Sequence, residues 1–324
     1  MSKRKITQQQ QRRIAEKQAR ILDTSTAEPG LVIAHHGKSL EVEDNNGKVI
    51  ICKKRQHLGP IVPGDWIKWQ LENGSEDGVA IAIEPRISLL SRPGHRNAEH
   101  AVAANIQQMF IVIAPTPAPN QTTVDRYLLA AELQNIRPIL ILNKEDLLDN
   151  IPDREQIMQF IKLYKDIGVT TLMISAKKHQ HLDELYTYID GNTNVFVGQS
   201  GVGKSSIIST LLPEAAIKTG ELSNIDLGSH TTTTARLYHL PQLHGDIIDS
   251  PGMREFPLWQ QDLNTIASGF VEFKPFLHNC KYRNCLHVHE PGCALRQAAE
   301  EGKISSIRLA SYQKILAEMQ NNIR

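Results

Sequence analysis

A chain of 324 residues with 40% apolar and 22% charged residues has room for two or three packed domains and a globular composition. No uninterrupted apolar run reaches membrane-spanning length and no apolar leader opens the chain, so a cytoplasmic protein with no membrane attachment is expected. The net charge of +1 excludes nucleic-acid binding through overall charge alone, and four cysteines, three of them clustered, suit a metal site in a reducing compartment better than a disulfide framework.

Residues 1–29 read as a basic flexible arm. Lys3, Arg4, Lys5, Arg12, Arg13, Lys17 and Arg20 stand against Glu16, and glutamines replace the large apolar residues that a fold would need. If about four of these cations met single-stranded RNA phosphates, the arm alone would give a logarithmic salt slope on the order of −3; a merely solvated terminus is the equal alternative. Residues 30–91 then carry five short β-branched runs, at 31–34, 39–42, 49–52, 65–69 and 79–83. Turns at Asn45-Asn46-Gly47 and Pro63-Gly64-Asp65 separate them, which predicts a small oligonucleotide-binding-type (OB-type) barrel arranged as an antiparallel meander. Lys53, Lys54 and Arg55 form a basic loop, and Trp66 or Trp69 can offer a stacking face to a base. The bland alternative puts one tryptophan in the barrel and leaves the other half exposed.

Beyond Ser91–Arg96, read as a boundary, the pattern becomes α/β over residues 92–268. Strands are predicted at 106–114, 138–142 and 170–175, with helices at 124–134, 155–166 and 182–189. Such alternation builds a doubly wound, mostly parallel sheet, whose ligands bind at the carboxyl ends of the strands. The informative tetrapeptide Asn143-Lys144-Glu145-Asp146 follows the second strand. Its Asp146 carboxylate can accept from N1–H and the 2-amino group of guanine together, Asn143 can meet the base edge, and the Lys144 stem can cover the ring. Adenine would leave Asp146 facing an acceptor, a mismatch that paired hydrogen bonding typically rejects by roughly 10⁴-fold. Ser175-Ala176-Lys177 occupies the corresponding place after the third strand, where backbone at Ser175 and Ala176 can touch the guanine carbonyl.

The stretch Gly198-Gln199-Ser200-Gly201-Val202-Gly203-Lys204-Ser205 fits G-x-x-x-x-G-K-[ST] between a short strand at 194–197 and a helical pattern that includes Ser206. Glycines let backbone N–H groups wrap phosphates, Lys204 can reach the β- and γ-phosphates, and the Ser205 hydroxyl suits Mg²⁺. Gly245–Asp249 is a strand running into Ser250-Pro251-Gly252, which places Asp249 to hold Mg²⁺ through water and the Gly252 N–H to sense the γ-phosphate. Between these motifs Gly228–Thr234 offers four hydroxyls, one of which can complete the Mg²⁺ shell; Thr232 is the candidate. Met253 stands where a water-orienting glutamine often follows such a motif, so either another side chain positions the water or a bound partner contributes the missing group; His230, beside the threonines, is the candidate side chain for positioning or deprotonating the water.

In residues 269–324, Cys280, Cys285 and Cys293 with a histidine make a closed tetrahedral zinc set, and His278, His287 and His289 are all near enough to supply it. Lys281, Arg283, Arg296 and Arg308 surround the cluster and fit RNA contact, and 304–319 reads as a closing amphipathic helix.

The guanine-type motifs precede the phosphate loop, the threonine loop and the D-x-P-G, the reverse of the usual order. With the barrel before and the cysteine cluster after, the chain resembles the circularly permuted bacterial small-ribosomal-subunit biogenesis GTPases. The resemblance implies an OB-type barrel, a permuted P-loop GTPase domain and a small α-rich zinc domain, with His287 as the fourth zinc ligand. It further implies GTP hydrolysis with Mg²⁺, late assembly of the small ribosomal subunit as the task, that subunit and its rRNA as partners, subunit-stimulated turnover, and a monomer. An RNA-binding checkpoint whose slow hydrolysis only times release is the alternative. Permutation also leads the D-x-P-G switch directly into the C-terminal domain, so nucleotide state can pass to whatever that domain touches.

Overall fold

The computed structural model describes residues 27–55, 57–72, 74–93, 99–212, 235–240, 242–249 and 263–323. The basic arm before residue 27, the threonine loop with His230 and Thr232, and Gly252 with Met253 lie outside the described residues.

The barrel consists of β1 (Glu28–His36), β2 (Ser39–Glu43), β3 (Val49–Lys54), β4 (Trp66–Leu71) and β5 (Gly78–Ile83). Alternation along these strands sends Leu40, Val42, Ile50, Cys52, Ile67 and Trp69 into one core. Pairing runs β1–β2–β3–β5–β4, and β4 returns to β1. A simple meander is therefore not what forms: β3 and β5 pair in parallel, because the chain crosses over so that β4 can close the barrel against β1. Trp69 is 4% exposed and donates Nε1–H to the Pro29 carbonyl at 3.3 Å, whereas Trp66 is 44% exposed. Of these two, Trp66 is the one that can offer a stacking face.

The described part of the segment read as a boundary, residues 91–93, belongs to β6 (Leu89–Pro93), which pairs antiparallel with β7 (Glu99–Ala104). This pair seats the barrel. The Pro63 carbonyl accepts from Ala104 N–H at 3.0 Å, and Gly64, at φ +89°, passes so close to the Ala104 carbonyl that a Cβ would lie 2.1 Å from its oxygen.

The α/β part comprises β8 (Gln108–Ile113), α1 (Gln121–Leu133), β9 (Arg137–Leu142), α2 (Arg154–Asp166), β10 (Thr170–Met173), α3 (Leu182–Ile189), β11 (Thr193–Val197), α4 (Lys204–Leu211), β12 (Arg236–Leu240) and β13 (Gly245–Asp249). The order is β10-β9-β8-β11-β13-β12, parallel up to β13, with β12 antiparallel. Strand β8 is buried at every position because helices cover both faces of the sheet. Ile111 and Ile113 pack toward Val124 and Leu128 of α1; Phe110 and Val112 face the core that holds Leu185 and Ile207. At its far side β12 pairs with β1 at Arg236 and Ala34, joining eleven strands into one hydrogen-bonded sheet.

The C-terminal unit holds α5 (Leu263–Ile266), 3₁₀ turns through Asn279, α6 (Ala294–Glu300) and α7 (Ser306–Ile323) around Phe270, Phe273, Leu295, Tyr312 and Ile315. Helix α7 packs against α1, so this unit leans on the GTPase-type sheet.

Candidate nucleotide and metal sites

The loops predicted to carry chemistry follow β9, β10, β11 and β13, which with β8 make a run of five parallel strands, so the carboxyl ends of these strands lie along one edge of the sheet. The loop from Gly198 to Gly203 leaves β11 and enters α4, with Gly203 at its N-cap. Its glycines are sterically required. At Gly198, φ +139°, a Cβ would stand 2.2 Å from the Val112 carbonyl oxygen of the neighbouring strand, and at Gly203, φ +96°, one would stand 2.3 Å from Asn143 Nδ2. The Lys204 ammonium donates to the Gly198 and Gln199 carbonyls, each at 2.7 Å, which holds it inside the loop. Ser205 and Ser206 stand in the first turn of α4, and Ser200 is exposed at the loop crest.

Asn143 binds three loops into one. Its Nδ2 donates to the Val202 carbonyl at 2.9 Å, its Oδ1 accepts from the Ala176 N–H at 3.1 Å, and the side chain is buried. The amide assigned to the base edge thus also forms a strut between the phosphate loop and the Ser175 loop. Lys144, at φ +61°, donates to the carbonyls of Gly201 at 2.6 Å and Thr116 at 2.9 Å, so its side chain ties the phosphate loop to the segment after β8. Asp146 accepts from the buried Ser175 hydroxyl at 2.6 Å, which orients the carboxylate assigned to guanine. Glu145 is turned away: its N–H donates to Ile174 O at 3.1 Å and its carboxylate meets the His181 ring. Asp249 ends β13, directly across from Arg236 of β12. With Ser205, it offers the hard oxygen donors that Mg²⁺ requires.

The second site is in the C-terminal unit. The ligand atoms of Cys280, Cys285, His287 and Cys293 all lie within 4.8 Å of one another, with His287 Nδ1 3.5 Å from Cys280 Sγ and 3.4 Å from Cys293 Sγ. A tetrahedral zinc with bonds of about 2.0 Å to nitrogen and 2.3 Å to sulfur has nitrogen–sulfur edges of about 3.5 Å, so the set fits that ion. Burial pushes the Cys285 thiol up to about 12 and lowers His287; a divalent cation is what makes clustered thiolates tolerable there. Glu290 shapes the loop. Burial opposes its charge, but the N–H groups of Leu286 at 2.8 Å, Val288 at 2.9 Å and His289 at 3.1 Å outweigh that and hold its carboxyl down to about 2. Nothing in the cysteine spacing pointed to this residue, although an acid three positions past a ligand in a turn is a common N–H acceptor.

Of the four cations expected around zinc, Lys281 and Arg283 are exposed and Arg296 is half-buried, but Arg308 is 2% exposed. It cannot reach RNA. Its guanidinium binds Glu272, with Nε to Oε1 at 2.6 Å, and pairs with the buried Asp125 of α1.

A phosphate loop, a guanine-type loop upstream of it in the chain, and a terminal Cys₃His cluster define a circularly permuted GTPase with an appended metal unit. Comparison with known proteins gives the family. Residues 83–259 match the model of the RsgA GTPase family. The chain is 43% identical to the small ribosomal subunit biogenesis GTPase RsgA of Hahella chejuensis over 99% of its own length and 97% of that protein. It is 44% identical to the protein of the same name from Pseudomonas aeruginosa, with 97% and 94% covered. The crystal structure of YjeQ from Thermotoga maritima superposes with a TM-score of 0.74 at 28% identity, covering 91% of this chain and 99% of that one. YloQ, described as a circularly permuted GTPase, shares the fold with a TM-score of 0.69. The chain belongs to the RsgA GTPase family, and its activity is that of a GTPase. No described helix is long and apolar enough to cross a membrane.

Proposed function

We propose that this GTPase hydrolyses GTP to GDP and phosphate while acting in late maturation of the small ribosomal subunit, as a cytoplasmic monomer whose turnover rises on contact with that subunit and its rRNA. The names of the relatives supply the task, and the buried Asn143 strut carries the nucleotide site, since it joins the phosphate loop to the loops assigned to guanine. In this reading the backbone of Gly198–Gly203 and the side chains of Lys204, Ser205 and Ser206 hold the phosphates, Gly252 senses the γ-phosphate, and Asp146, steadied by Ser175, selects guanine beside Lys144 and Ala176. Ser205, Asp249 and Thr232 would hold Mg²⁺, which would supply positive charge to neutralise the phosphate oxygens. His230 orients the attacking water in place of the glutamine that Met253 replaces. A zinc ion held by Cys280, Cys285, His287 and Cys293 would be structural, because four protein ligands leave no open position.

The working units are the arm 1–29, the barrel 30–91, the GTPase domain 92–268 and the zinc domain 269–324. Trp66, Lys281 and Arg283 are the exposed side chains offered to rRNA. Two experiments test the reading. Labelled GDP should be displaced by GTP and not by ATP at a hundredfold higher concentration, and the protein loaded with a non-hydrolysable GTP analogue should sediment with isolated small subunits but not large ones. Displacement by ATP or indifference to the subunit would overturn it.

A further inference from the structure

The buried cluster around Arg308 belongs to neither site yet touches elements of each. Arg308 belongs to α7, the helix that packs across the zinc unit, and pairs with Asp125 in the first half of α1. Its other face grips Glu272, with Nε to Oε1 at 2.6 Å and Nη2 to Oε2 at 3.2 Å, and the guanidinium stacks 4.4 Å from the Phe270 ring centroid. Asp125 in turn accepts from Tyr164 Oη–H at 2.7 Å and from Gln121 Nε2 at 3.1 Å, and Gln121 also donates to Tyr164 Oη at 2.8 Å. Asp125 and Arg308 are buried to 0% and 2% exposure. Two carboxylates around one guanidinium leave one excess negative charge. Burial alone would lower the Arg308 pKa, but Asp125 and Glu272 outweigh it, so the cation is firmly charged.

Helix α1 leads straight to the phosphate loop. Asn120, its N-cap, with Thr123, Val124 and Tyr127 lines a narrow cleft with Gly198 and Gln199, and the Gln199 amide oxygen is buried there without a hydrogen-bond partner. The loop that precedes α1 meets the crest of the phosphate loop too, since Lys144 ties Thr116 O to Gly201 O. A shift of α1 along its axis therefore moves the wall on which Gly198 and Gln199 rest. We infer that Arg308 is a positioning residue for the nucleotide site: by clamping Asp125 it fixes α1 beneath the phosphate loop and makes the zinc unit a part of the GTPase's own pocket. The chain connection after Gly252 is then not the only route between the two units. A partner that displaces α7 loosens nucleotide, and nucleotide loss frees α7, by the reciprocity of linked equilibria.

The inference rests on the reading of Gly198–Ser205 as the phosphate loop, and the experiment separates the two. Asp125→Asn is isosteric and leaves Arg308 paired with Glu272, so no bare charge is buried; Arg308→Met and Arg308→Lys complete the set. Affinity for labelled GDP and GTP is measured alongside bound zinc and melting temperature, with Lys204→Ala as the test of the loop. The expected result is a loss on the order of tenfold in affinity for both nucleotides in Asp125→Asn and Arg308→Met, within the range such indirect coupling carries. Arg308→Lys should partly rescue it, zinc should stay stoichiometric, and GTP should keep its ratio to GDP. Unchanged affinity in Asp125→Asn, whatever its melting temperature, overturns the inference: Arg308 would then be a structural bridge alone. Wild-type affinity in Lys204→Ala would instead overturn the loop reading on which it stands.

Discussion

Replacing Asn143 with alanine distinguishes a strut from a base contact. The substitution removes the donor to Val202 O and the acceptor for the Ala176 N–H, and the backbone groups so orphaned lie at buried residues. A buried group left unsatisfied costs about 1–3 kcal/mol, a carbonyl with a second lone pair somewhat less, so the two together cost about 2–4 kcal/mol. For a unit of 150–250 residues that lowers the melting temperature by roughly 5–15 °C. The essential comparison is made without nucleotide, by calorimetry on the stripped protein, followed by titration with labelled GDP. Asn143→Ala should melt early even when empty and should weaken GDP and inosine diphosphate alike. A variant that melts with the wild type when empty but loses GDP binding would refute the strut and return Asn143 to the base.

Three further predictions follow from close contacts and charge. Gly198→Ala should abolish measurable GTP binding, because its Cβ would meet the backbone oxygen of Val112, whereas Gly47→Ala, also at positive φ but in open space, should cost only about 1 kcal/mol of stability and leave binding intact. Glu290→Gln should weaken zinc affinity about tenfold in competition with a chromophoric chelator, since it replaces the carboxylate that gathers three amides behind the ligand loop. His239 bridges the GTPase sheet to the barrel, with Nδ1 2.7 Å from Asp246 and Nε2 3.0 Å from Glu43, and the Asp246 hydrogen bond leads the causes that raise its pKa to about 9. A raised folded-state value means that the bridge stabilises fully below about pH 6.5 and is lost as pH rises through about 9. With the ring 43% exposed, solvent screening leaves about 1 kcal/mol, so denaturation at pH 6 and pH 9.5 should differ by that much more in wild type than in His239→Gln.

The nucleotide and zinc motifs were legible because their chemistry is local: glycines, Lys204 and Ser205 adjoin in sequence, and so do three cysteines and a histidine. The barrel strands were legible because Leu40, Val42, Ile50 and Cys52 are buried and alternate with half-buried or exposed neighbours. What escaped depends on tertiary placement. Strands β6 and β7 flank Pro93, Gly94 and His95, residues that punctuate linkers as readily as hairpins, and they form because the Pro63–Gly64 turn and Asn105 seat against them. Strand β12 lies between β13 and the barrel and takes its pairing from both. Arg308 sits on a helix whose pattern is otherwise amphipathic, and only the two carboxylates brought by α1 and the 3₁₀ segment explain why it is inside. The parallel β3–β5 pair was hidden by turn signals that fit a meander equally well.

Whether this GTPase acts on the small ribosomal subunit is decided by steady-state GTP hydrolysis with and without isolated small subunits, using Lys204→Ala as the blank. Turnover should be slow for the protein alone, rise greatly with small subunits, and show no rise with large subunits or in the blank. Turnover that ignores the small subunit while GTP binding is intact would contradict action on that subunit.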